Sequence, residues 1–106
     1  MKLGLGFMQT AFSAQPRFDL EIVRLAESLG FHSVWTAEAY GADAVTGATW
    51  LAADTSTLKV GTAIMQIPAR SPACAAMTAI GLDAVSEGRF ILGLGSSGPQ
   101  VAEGWH

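Results

Sequence analysis

Four apolar, strand-like runs punctuate the chain, beginning near Leu3, Ser33, Leu58 and Phe90, and each gives way to turn residues and then to a helix-like segment. The repeat is about 30 residues, the period of βα units. After the first run, Phe18, Ile22, Leu25, Ala26 and Leu29 fall on one stripe at helical spacing, with Asp19, Glu21, Arg24 and Glu27 off it. That pattern predicts an amphipathic helix covering one face of a sheet. Gly30 ends it, because glycine enters the left-handed region without a Cβ penalty. The second run, Val34-Trp35-Thr36, leads through a loop from Glu38 to Gly41, and Asp43 is placed to cap a short helix carrying Val45, Ala48, Trp50, Leu51 and Ala52. Gly47 and its flanking threonines lower the propensity of that segment. The third run, from Leu58 to Ile64, feeds a loop containing Pro68 and Arg70, after which Ser71-Pro72 offers an N-cap followed by a proline at the first helical position. The small residues between Ala73 and Val85 predict close packing against a sheet and a neighbouring helix, and Glu87-Gly88 stops the helix before the fourth run.

Strands joined by helical crossovers run parallel, with right-handed connections. Two α/β architectures satisfy this: a segment of a closed (β/α) barrel, or an open doubly wound sheet. Periodicity alone leaves both open. No linker or low-complexity tract interrupts residues 1–106, so they form one unit. In both architectures ligands sit beyond the carboxyl ends of the strands. The loop after Phe90-Ile91-Leu92-Gly93-Leu94-Gly95 therefore reads as site-forming, and the chain as a fragment that stops before its supporting helix is complete.

An apolar share of 50% and a mean hydropathy of +0.35 indicate burial rather than disorder. Charged residues make up 14%, below the usual figure of about 25%, so a missing carboxyl-terminal half is expected to cover part of this surface. The net charge is −3 and the six basic residues are scattered, which argues against nucleic acid as a partner. No apolar stretch approaches the roughly 18 residues of a membrane span, and no signal peptide precedes the first run, so a cytoplasmic protein is expected. Cys74 lies in an alanine-rich helical pattern and reads as a buried thiol without a disulfide partner. His32, His106 and Cys74 stand at unrelated spacings, so no zinc pattern is present.

Gly93-Leu94-Gly95-Ser96-Ser97-Gly98 matches G-x-G-x-x-G, a spacing that lets backbone approach a pyrophosphate. The first glycine falls within the strand pattern, Pro99 follows at once, and the chain stops before an acidic ribose ligand. Tight strand packing explains the glycines equally well. Glu38 and Tyr40 put a carboxylate and a phenol at one rim, able to bond a polar ring or move a proton, although an exposed loop carboxylate is the simpler reading. Ser96 and Ser97 each lack one glycine of a nucleophile elbow. Trp35 and Trp50 read as core residues, and Trp105 is left open.

Taken together, Gly30-Phe31-His32-Ser33-Val34-Trp35-Thr36-Ala37-Glu38, Gly61-Thr62-Ala63-Ile64 and Gly88-Arg89-Phe90-Ile91-Leu92-Gly93-Leu94-Gly95 resemble the bacterial luciferase-like monooxygenase superfamily. The tail Ser97-Gly98-Pro99-Gln100-Val101 with Glu103-Gly104-Trp105-His106 is similar to its deazaflavin-dependent branch. The resemblance implies a TIM (β/α)8 barrel, of which this chain supplies an incomplete half with about four parallel strands and three helices. It implies an oxidoreductase that transfers hydride between a reduced cofactor and a small organic substrate, or activates dioxygen in flavin members. The cofactor is coenzyme F-420, with FMN as the alternative, and the intact protein is a homo-oligomer. Glu38 aligns with an acidic residue near the ring and takes the catalytic role, while Ala39 replaces a histidine of several relatives and removes an imidazole from that place. Ala63 and Ile64 match a pair that forms a cis peptide behind the ring. Tyr40, Ser96, Ser97 and Gly98 complete the cofactor-binding set, and no metal is implied. Two other readings stay beside this one: an NAD(P)-binding Rossmann-like domain and a non-catalytic structural fragment.

Overall fold

The computed structural model describes residues 1–7, 13–15 and 17–104; Trp105 and His106, named above, lie outside them. Among the described residues six strands and four helices follow in order: β1 (Gly4–Phe7), α1 (Leu20–Ser28), β2 (Ser33–Thr36), α2 (Ala44–Asp54), β3 (Lys59–Thr62), β4 (Met65–Gln66), α3 (Pro72–Val85), β5 (Phe90–Ile91), β6 (Leu94–Gly95) and α4 (Pro99–Ala102). The main sheet has the order β1-β2-β3-β5, and every pairing in it is parallel. Each strand lies beside its predecessor, with no reversal. A doubly wound sheet needs a switch point where the order reverses, so this topology is that of consecutive barrel units and not of a Rossmann-like domain.

Local chemistry sets the helix ends. Asp19, Asp43 and Ser71 accept backbone N–H groups at the starts of α1, α2 and α3. Gly30 and Gly88 stand at φ of 78° and 77° beyond the ends of α1 and α3. The hydrophobic core forms on one face of the sheet, where Phe7, Val34 and Val60 meet Val23 of α1, Leu51 of α2 and Leu82 of α3. On the opposite face Trp35 lies across Gly61 and beside Gly4, and its Nε1 donates to Ser33 Oγ at 2.9 Å. Those two glycines exist in the space the indole occupies.

Four expectations need correcting. The α1 stripe is rotated: Val23 and Ala26 are buried, while Ile22, Leu25 and Leu29 are exposed. In α3 only Leu82 is buried, and Met77 and Ile80 face outward, because no other described element covers that side. Trp50 is half exposed and leans on Phe18 with ring centroids 5.9 Å apart, and Cys74 is exposed rather than buried.

The third and fourth apolar runs each break in two. A Cβ at Gly93 would collide with the Thr62 carbonyl, and Thr62 Oγ1 both donates to Gly93 O and accepts from Gly93 N. Past this close approach, pairing resumes as β4 with β6. Gly95 is held small by the Ile64 side chain. The two glycines of the G-x-G motif are thus accounted for by strand packing. No helix among the described residues is long and apolar enough to cross a membrane.

Candidate functional site

The carboxyl ends of β2, β3 and β6 converge. Glu38, two residues beyond β2, has both carboxylate oxygens engaged. Oε2 accepts from Ala44 N at 2.8 Å and Oε1 from Gln66 N at 2.6 Å. The Arg70 guanidinium grips both, Nη2 at 3.0 Å on Oε2 and Nη1 on Oε1, the bidentate geometry that suits a planar fork. Burial pushes the Glu38 carboxyl up, but the Arg70 hydrogen bonds and the two amides outweigh it and hold it below the usual carboxylate range. Asp43 stands 4.0 Å from Arg70. Burial raises its carboxyl too, and the bonds to Thr46 and Val45 together with Arg70 bring it down.

Above this pair lies a cavity of about 310 Å³ whose walls include Ala37, Ala39, Tyr40, Ala63, Ile64 and Ser97. Glu38 and Gly98 also reach it. The Ala63–Ile64 peptide is cis, and Ala63 N donates to Thr36 O at 2.6 Å. Pockets that take drug-sized ligands run from about 300 to 1,000 Å³, and this volume stands at the lower end of that range. Three alanines make much of the lining apolar, and Tyr40 and Ser97 bring hydroxyl groups to it.

The sequence profile of the family described as luciferase-like monooxygenase matches residues 4–106. The chain belongs to this family. Across its whole length it is 49% identical to a Mycobacterium tuberculosis protein that carries the name coenzyme F-420-dependent oxidoreductase, and covers 30% of that protein. A 5,10-methylenetetrahydromethanopterin reductase of Methanolobus tindarius is 38% identical over 68% of this chain and 22% of its own. Among solved structures, the oxygenating constituent of 3,6-diketocamphane monooxygenase from Pseudomonas putida, in complex with FMN, superposes with a TM-score of 0.77 at 26% identity, covering 97% of this chain and 32% of that one. The coenzyme F-420-dependent tetrahydromethanopterin reductase of Methanopyrus kandleri gives 0.79 at 24% identity, over 98% and 29%. The fold is therefore the TIM-barrel type of the luciferase-like family, and the chain spans about a third or less of these relatives' lengths.

Within this luciferase-like barrel segment, the residues named from sequence fall as follows. Glu38, Tyr40, Ala63, Ile64, Ser97 and Gly98 share the cavity. Ser96 does not: it is exposed, and its Oγ donates to Ser97 O at 3.4 Å, because the turn at Ser97 reverses the side-chain direction. Glu38 lies just beyond the end of β2, and its surroundings suit an anion that holds neighbours rather than a group that exchanges protons near neutral pH. Sequence reasoning missed Arg70 and Gln66 as site residues. A lone glutamine in the apolar run Ile64-Met65-Gln66-Ile67 was the available signal, since a buried polar side chain requires partners.

Proposed function

We propose that this chain is the amino-terminal half of the barrel of a coenzyme F-420-dependent oxidoreductase, with FMN as the second candidate, acting on a small organic substrate. The observation that carries it is the strand-end cavity, lined by six of the residues the family resemblance assigns to the ring, in a chain 49% identical to a relative of that name. FMN stays in view because an FMN complex is among the structural neighbours.

When bound, the reduced deazaflavin would supply hydride to an organic acceptor. The chain's own residues bind and orient. Ala37, Ala39 and Ala63 leave a flat slot, Ile64 backs it, and Tyr40 and Ser97 offer polar contacts at its edges. Glu38, paired with Arg70, clips the end of β2 to β4 through Gln66 N and so sets the spacing of the slot. Its part is positioning.

We read the protein as cytoplasmic and as a homo-oligomer when complete. The exposed apolar stripes on α1 and α3 support an assembled surface. Fluorescence titration of the full-length protein with F-420, FMN and NADP tests the assignment. Tightest binding of F-420 is expected, and a preference for NADP overturns the assignment.

A further inference from the structure

We infer that Gln66 is a positioning residue for Ser97: by donating to its Oγ, Gln66 leaves the serine's own hydrogen to meet an acceptor atom of the ring in the strand-end cavity. This rests on the reading of that cavity as a deazaflavin or flavin site, and adds to it a specific donor and the group that aims it.

Gln66 is 1% exposed. Its Nε2 donates to the Glu38 backbone carbonyl at 3.0 Å and, over a longer 3.4 Å, to Ser97 Oγ. The orientation of the amide is fixed by the first bond, because a carbonyl can only accept and so selects the NH2 end. With one amide hydrogen spent on Glu38 O, the other faces Ser97 Oγ. That oxygen then acts as an acceptor on its protein side, and its own hydrogen turns elsewhere. Ser97 lines the cavity, and among the described residues no protein acceptor takes its hydrogen. The ring carbonyls of a flavin or deazaflavin are acceptors of the matching kind.

Two further features support a dedicated role. Gln66 Oε1 is buried and has no hydrogen-bond partner among the described residues. A methionine would fill the same space with no unmatched oxygen, so what the glutamine uniquely provides is Nε2. Gln66 N already binds Glu38 Oε1, so the side chain adds two bonds of its own, one that fixes the amide on Glu38 O and one that reaches Ser97 Oγ. Ser97 also stands at φ of 64°, a left-handed conformation a serine keeps only where its surroundings hold it.

A double-mutant cycle on the full-length protein reads this, with F-420 and FMN binding followed by fluorescence and folding checked by thermal melting. Ser97→Ala and Gln66→Met are each expected to weaken binding of the preferred cofactor roughly tenfold. The double variant should be no weaker than the poorer single one, since Gln66 acts through the hydroxyl. Losses that multiply would mean that Gln66 serves only the fold, and unchanged affinity in Ser97→Ala would remove the donor; either overturns the inference while leaving the cofactor assignment intact. Wild-type protein that binds neither cofactor overturns both. If Gln66→Met fails to melt cooperatively, Gln66→Asn, which withdraws Nε2 by one methylene, takes its place in the cycle with the same expectations.

Discussion

Protonating Glu38 would take away the acceptor shared by Ala44 N, Gln66 N and both terminal nitrogens of Arg70. Its folded-state carboxyl titrates below the ordinary value of 4.5. The stability it contributes is therefore complete above that value and is lost as pH falls through the lower folded one. Glu27 behaves alike: its Oε1 accepts from Ser56 N, Thr57 N and Leu58 N, and although burial raises its carboxyl, these bonds bring it down. Melting temperature should drop as pH falls below about 4.5. Glu38→Gln should lower stability at pH 7 by about 3 kcal/mol, because it leaves the Arg70 charge with only Asp43, 4.0 Å away, to answer it, and should also flatten the acid slope. A variant as stable as wild type in urea titration would show that the pair is not a fixed clamp. Arg89 is a second clamp that the sequence hid, with Nη1 on Leu58 O and Nη2 on Ala52 O and Thr55 O at the end of α2.

At the scale of elements, glycines that look alike in sequence have unlike reasons. Nothing lies within 4 Å of a Cβ built at Gly30, whereas one at Gly93 strikes the Thr62 backbone. Gly30→Ala should cost about 1 kcal/mol, through its positive φ alone. Gly93→Ala should cost about 3 kcal/mol, since a carbonyl in a paired strand cannot move aside. Equal denaturant midpoints for the two variants would refute this contrast. What could be read from the sequence follows the same division. The caps at Asp43 and Ser71 and the stop at Gly30 depend on residues within four positions, and sequence was enough for them. The breaks at 63–64 and 92–93, and the direction in which α1 and α3 turn their apolar stripes, depend on partners about thirty residues away. For the candidate site, family likeness named Glu38, Ala63, Ile64 and Ser97, which share one cavity, but the pairing of Glu38 with Arg70 across 32 positions carries no local signature.

Across the whole molecule, two flanks are apolar: Ile22, Leu25 and Leu29 on α1 beside the edge strand β1, and Met77, Ile80 and Val85 on α3. Among the described residues both ends of the main sheet, β1 and β5, have a neighbour on one side only. Expressed as 106 residues, the chain should self-associate, because open strand edges and apolar stripes recruit one another. A monodisperse monomer in sedimentation at high concentration would contradict this. Trp35 has a different consequence. One indole plugs the inner layer across three strands, two residues before the slot wall begins at Ala37. Floor and mouth are built from separate residue sets, so the ligand preference of the mouth can be re-engineered while the plug beneath it stays untouched.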